Sequence, residues 1–285
     1  MKIGVMVESF RAGLEGGLRA AAEVGADGVQ IFATAGEMHP DNLNAPARSA
    51  LKRRLADMGL ELAAICGDFG GYGFQRQEDN PRRIEGSKRV MDLTLDLGCK
   101  VVTTHVGVIP SQASHPRRAI MAAACEELAR HAASVGGTFA IETGPEPAEV
   151  LGNFLDDVGL PEGLGVNFDP ANLVMVINED VSAAVEMLGR YIVHTHAKDG
   201  LNLKPVDAEM LYNAFAEGGI EGMHVGDYIR EVPLGEGMVP FKEYLAALRK
   251  ALYDGYLTVE REVGPNPRAD IELAVKFLRN LLRGA

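Results

Sequence analysis

Residues 192–200 read IVHTHAKDG. In a β-strand, alternate side chains share a face. Ile192, His194, His196 and Lys198 then point one way, and Val193, Thr195 and Ala197 the other. Two imidazoles and an amine on one face of an otherwise aliphatic strand are costly to bury without polar partners. The opposite parity of Asp199 places it in the turn that follows.

Working outward, similar short runs recur along the chain. They are KIGVMVE (2–8), GVQIFA (28–33), ELAAICG (61–67), KVVTTHV (100–106), TFAIET (138–143), LGVNFD (164–169), IVHTHA (192–197) and LTVERE (257–262). Amphipathic segments separate them. Ala47, Leu51, Leu55 and Met58 fall at helical spacing, as do Val90, Leu93 and Leu97, then Val181, Val185 and Leu188. Gly59 and Gly98 follow two of these segments, where helices stop. Eight β–α units predict a closed (β/α)8 TIM barrel of the α/β class, a single domain over residues 1–285. An open doubly wound sheet would carry Gly-x-Gly-x-x-Gly after its first strand, and none follows here. The longest interval, residues 200–240, lies between strands seven and eight. We read it as a long loop carrying a helix, either a lid or a contact in a homo-oligomer.

Parity in the other strands repeats the opening pattern. Glu142 opposes Phe139 and Ile141; Asn167 and Asp169 oppose Val166 and Phe168; Thr258, Glu260 and Glu262 oppose Leu257 and Val259. Thr103 and His105 oppose Val102 and Thr104, and Glu8 opposes Ile3, Val5 and Val7. One face is aliphatic, as a sheet backed by helices requires. The other turns polar toward the C-terminal strand ends, where barrels build their sites. A divalent metal ion would compensate such a cluster. The expected ligands are Glu142, Asp169, His196 and Glu260, with Mn, Mg, Co or Zn as candidate ions. The plainer reading pairs the two Glu residues with Arg261 or Lys198 and lets Asp169 start a turn.

Composition narrows the setting. The chain has 285 residues, 47% hydrophobic and 24% charged, an ordinary globular balance. A formal charge of −12 makes a nucleic-acid partner a poor expectation. Cys66, Cys99 and Cys125 show no Cys-x-x-Cys spacing, which fits a reducing, cytoplasmic setting. No stretch approaches the ~20 apolar residues of a membrane span.

The pieces IETGPEPAE, GVNFDPANLVM, HTHAKDG, EVPLGEG and YLTVEREVG, in this order, resemble the xylose isomerase-like TIM barrels, the sugar phosphate isomerase/epimerase superfamily. With the eight-unit rhythm, the resemblance covers nearly the whole chain. In ketose 3-epimerases of this group a Glu, an Asp, a His and a second Glu bind one metal. The resemblance places these on Glu142, Asp169, His196 and Glu260, the set parity had selected. The same barrel houses apurinic endonucleases with three zinc ions. Here the third strand ends ICGDFG without His, Asn172 stands where those enzymes have His, and EVPLGEG lacks their Asp-x-His. Many ketose epimerases also have His at the position of Asn172.

The resemblance implies an enzyme of carbohydrate metabolism, a metal-dependent sugar isomerase or epimerase. It would act on a ketose, keto-polyol or sugar phosphate, with Glu142 and Glu260 moving protons. A lyase of the inosose dehydratase type on the same site is the alternative; a nuclease or a non-catalytic sugar-binding barrel ranks lower. His105, Lys198, Asn172 and Glu8 are the expected substrate contacts, and His194 steadies the ligand shell. With no Trp in the chain, an aromatic platform would use Phe or Tyr; Phe10, Phe69 and Tyr72 are candidates. Arg268 precedes the last helix, where a phosphate could bind, although a salt-bridged Arg is the simpler reading.

Overall fold

A computed structural model describes residues 1–159 and 162–284. All eight expected strands form, and they close into one barrel. In chain order they are β1 (Lys2–Met6), β2 (Gly28–Phe32), β3 (Glu61–Cys66), β4 (Val101–Thr104), β5 (Thr138–Glu142), β6 (Leu164–Phe168) and β7 (Ile192–Ala197). A hairpin of β8 (Asp199–Asn202) and β9 (Ile229–Val232) intervenes before the last barrel strand, β10 (Tyr256–Val259). Every neighbouring pair around the barrel is parallel, and β10 closes it between β7 and β1. This is the (β/α)8 TIM barrel.

Helices return the chain between strands: α1 (Gly13–Glu23), α2 (Ala45–Asp57), α3 (Asn80–Asp96), α4 (Pro116–Val135) and α5 (Ala148–Val158). A single turn, α6 (Pro170–Asn172), runs into a π-helical segment at Leu173–Ile177. Then come α7 (Val181–Leu188), α8 (Ala208–Ala216), α9 (Phe241–Lys250) and α10 (Pro267–Arg283). Local chemistry sets their ends. The Asn44 side chain accepts from Ala47 N at the start of α2, with Pro46 in its first turn. After the helix, Gly59 takes φ +69°, a conformation that stops it without a Cβ clash.

The outward-facing strand residues, among them Ile3, Val29, Ile31, Val102, Phe139, Val166 and Leu257, join helix residues such as Leu18, Met91, Leu128 and Tyr244 in one hydrophobic core. The inside of the barrel is different. Gln30, Thr103, Asn167, His194, His196 and Thr258 are completely or almost completely buried there. They are tolerated because they bond to one another: Gln30 Nε2 donates to Thr103, Gln30 Oε1 meets His194 Nε2, and His194 Nε2 meets Thr258 Oγ1.

Three strands, β1, β4 and β10, stop two or three residues short of their expected ends, and the polar residues past those ends divide. β1 stops at Met6, and Val7–Phe10 forms a 3-10 turn, which takes Glu8 off the strand alternation. Its exposed carboxylate accepts from Phe32 N at 3.1 Å. β4 stops before His105 and β10 before Glu260, yet both side chains still border the barrel interior. The interval 200–240 holds the expected helix, α8, and also the β8–β9 hairpin, which the pattern did not reveal. Among the described residues, no helix is long and apolar enough to cross a membrane.

Candidate metal centre and substrate cavity

Four barrel strands deliver one acidic cluster. Glu142 ends β5, Asp169 follows β6, His196 lies on β7 and Glu260 follows β10. All four are buried, and each offers a donor atom within 4.8 Å of the others. His196 Nδ1 is 3.2 Å from Glu260 Oε2 and 3.6 Å from both Glu142 Oε1 and Asp169 Oδ2. Ligands ~2.1 Å from a shared ion stand roughly 3 Å apart when adjacent and about 4.2 Å apart when opposite. The spacing of the cluster therefore fits an ion among these atoms.

The bonding around each donor argues the same way. Asp169 Oδ2 and His196 Nδ1 are buried and have no hydrogen-bond partner. Their sister atoms are occupied. Asp169 Oδ1 accepts from Ala171 N at 2.7 Å and caps the turn that follows. The turn-starting role of Asp169 rests on Oδ1, and Oδ2 is left facing the cluster. His196 Nε2 lies 3.1 Å from Gln30 Oε1. Asn167 Nδ2 lies 3.2 Å from the same Nε2, so both neighbours of Nε2 are amides and Nδ1 is the nitrogen that faces the cluster. Unpartnered buried atoms of this kind call for a cation. The donor set of three carboxylates and one imidazole suits a divalent ion.

The surrounding groups hold the carboxylates in place. Glu142 accepts from Asn167 at 2.9 Å and Asn172 at 3.2 Å. Glu260 accepts from Lys198 at 3.1 Å, and Lys198 also bonds Glu262. Burial pushes the Glu260 carboxyl up, but Lys198 and His196 outweigh it and hold it well below the ordinary range. His105 Nδ1 sits 2.9 Å from Asp68 Oδ2, and its Nε2 is 3.5 Å from Glu142 Oε1. Burial disfavours its charged form, yet Glu142 and Asp68 raise its pKa to about 10. His194 goes the other way: burial, aided by His196, drives it well below the usual imidazole range. A cation held among the carboxylates opposes the upward shifts.

Above the cluster is a cavity of about 260 Å³. Asp68, His105, Glu142, Asn172, Lys198, Glu260 and Glu262 form its polar side. Val176 and the α8 residues Leu211, Tyr212 and Phe215 line it as well. Of the expected substrate contacts, His105, Lys198 and Asn172 line it and Glu8 does not. Phe10, Phe69 and Tyr72 do not line it either; the aromatic rings there come from α8. Arg268 is paired with Glu23 at 2.7 Å.

Residues 18–281 match the family described as Xylose isomerase-like TIM barrel. The chain belongs to this family. Among solved structures, it is similar to a Xylose isomerase domain protein from Planctomyces limnophilus, with 28% identity and a TM-score of 0.79 over 98% of this chain and 96% of the other. It is also similar to a D-tagatose 3-epimerase-like protein, at 19% identity and TM-score 0.75 over 99% and 97% of the two chains. A third likeness is to the probable 3-DHS dehydratase involved in petrobactin synthesis from Bacillus anthracis, at 21% identity and TM-score 0.75 over 98% and 99%. The last two likenesses concern the fold. No protein of curated function matches the chain.

Sequence reasoning did not single out Gln30 or Asn167. Gln30 is a Gln in the middle of an apolar strand, GVQIFA, and Asn167 shares the parity of Asp169. A buried amide two residues from a candidate ligand, or within an aliphatic strand, was the available signal.

Proposed function

We propose that this protein is a metal-dependent isomerase or epimerase acting on a ketose, keto-polyol or sugar phosphate through an enediolate. The observation that carries the reading is the cluster itself, with Asp169 Oδ2 and His196 Nδ1 buried and unpartnered among two further carboxylates. Glu142, Asp169, His196 and Glu260 would hold the ion. When bound, it polarises the substrate carbonyl and stabilises negative charge developing on the neighbouring oxygens.

The protein's own groups do the rest. Glu142 and Glu260 reach the cavity from strands on opposite sides of β6 and β7. One carboxylate takes the carbon-bound proton and the other returns one from the far side, or the reverse. Their partners differ: neutral amides hold Glu142, and an ammonium holds Glu260. Lys198, His105 and Asn172 orient the substrate hydroxyls, and the wall from α8 excludes water. A solved relative in fold named as a dehydratase keeps the lyase reading as the second choice.

The test is metal content per chain in protein purified without chelator, beside Glu142→Ala and His196→Ala. About one Mn, Co, Mg or Zn per chain, lost in both variants, supports the site. Exchange of a carbon-bound ketose proton with deuterated water then identifies the reaction class. Protein that takes up no metal even when it is added back contradicts the mechanism.

A further inference from the structure

Each cation bordering the cavity is already held. Lys198 is bonded to Glu260 and Glu262. His105 sits between Asp68 and Glu142. Beyond the rim, Arg83 donates to the Gly70 carbonyl at 2.9 Å, and Arg117 forms a forked pair with Glu209 at 2.5 and 3.0 Å. Against these stand Asp68, Glu142, Glu260 and Glu262 on the cavity wall, with Asp169 buried behind them. Even with a divalent ion in place and His105 protonated, the five carboxylates exceed by one the four positive charges of the ion, His105 and Lys198.

Val176, Leu211 and Phe215 add an apolar part to the lining. Such a site has one edge for hydroxyl groups and one face for C–H groups. Resting on the keto-polyol reading above, we propose that the site takes an uncharged polyhydroxylated ketone and turns away its phosphate esters and carboxylate-bearing analogues. A phosphate ester would bring up to two negative charges to a wall whose lining cations, Lys198 and His105, already face carboxylates. Glu262 is the adjustable part of this filter. Its side chain is 61% exposed, yet it holds Lys198, the one ammonium on the cavity wall.

The experiment measures Kd by calorimetry for matched pairs on manganese-loaded protein: D-tagatose against D-tagatose 6-phosphate, and D-fructose against D-fructuronate. In each pair the uncharged member should bind at least about tenfold tighter. Glu262→Gln, which takes away one of the two carboxylates on Lys198, should narrow the gap severalfold. Raising the salt concentration should narrow it in the parent protein, because Glu262 is exposed. A charged member that binds as tightly as its neutral partner overturns the proposal. If that ester also exchanges its carbon-bound proton, the isomerase reading stands and only the charge filter falls. If no member of either pair binds, the keto-polyol reading fails and this inference fails with it.

Discussion

The Nε2 atom of His196 lies 3.1 Å from the Oε1 atom of Gln30, so an amide 166 residues away sets which imidazole nitrogen faces the acidic cluster. The same oxygen lies 2.9 Å from His194 Nε2, and Thr103 fixes the amide from its other end. Replacing Gln30 by Leu removes that acceptor and frees the ring to turn. Metal affinity should then fall roughly 10–100-fold, as with other supports of metal-ligating imidazoles. Competition against a chelator of known affinity measures it. Unchanged affinity in a folded variant would show that Gln30 does not orient the ligand.

Lys198 faces Glu260 at the edge of the cluster, and both are buried. Lys198→Met leaves a buried carboxylate without its ammonium. In chelated protein this should cost about 3–5 kcal/mol. Saturating manganese should reduce the loss, because the ion supplies charge beside the same carboxylate. Urea unfolding with and without chelator makes the comparison, and an equal loss in both conditions would speak against an ion next to Glu260.

Asp199 is a fixing point for the loop 235–239. Its buried carboxylate accepts from the N–H groups of Gly200, Gly235, Gly237 and Val239 at 2.9–3.0 Å. A Cβ on Gly237 would lie 2.1 Å from Asp199 Oδ1, so the approach requires glycine there. Asp199→Ala should cost on the order of 3 kcal/mol, since several N–H groups lose a charged acceptor at once. Amide exchange should rise first in residues 235–239. A loss spread evenly over the barrel would contradict a local role.

Glu146 gives a pH signature. It is buried and its Oε2 has no partner. Burial raises its pKa from 4.5 to about 7, against weaker opposing contributions from backbone N–H groups and His105. The folded state therefore binds this proton more tightly than the unfolded chain does. The stability this group contributes is complete below pH 4.5, declines as the pH rises and is lost above about 7. Glu146→Gln should match the parent in acid and exceed it at pH 8 by on the order of 2–3 kcal/mol. Denaturant unfolding across that range is the check; a constant difference with pH would refute it.

The barrel was legible because its signals are local. Two-residue alternation in TFAIET, LGVNFD and IVHTHA fixes which side chains point inward, whatever the rest of the chain does. That is why Glu142, Asp169 and His196 group together on sequence alone. Strand length was less legible. Pairing in β1 and β10 ends before the expected alternation does, which moved Glu8 out to Phe32 N and left Glu262 exposed over Lys198.

The sequence by itself determined the eight-unit rhythm, the inward face of each strand and the residue types on it, since backbone periodicity dictates all three. Only the tertiary structure decided that Gln30 serves two histidines, that Asp199 gathers the loop 235–239, and that α8 supplies the apolar wall. These contacts join residues that share no local pattern. The short β8–β9 hairpin belongs with them, because its strands of four residues each stand 26 residues apart and neither is readable without the other. Barrel closure brings such groups together, and their partners are set by geometry across the barrel rather than by neighbours along the chain.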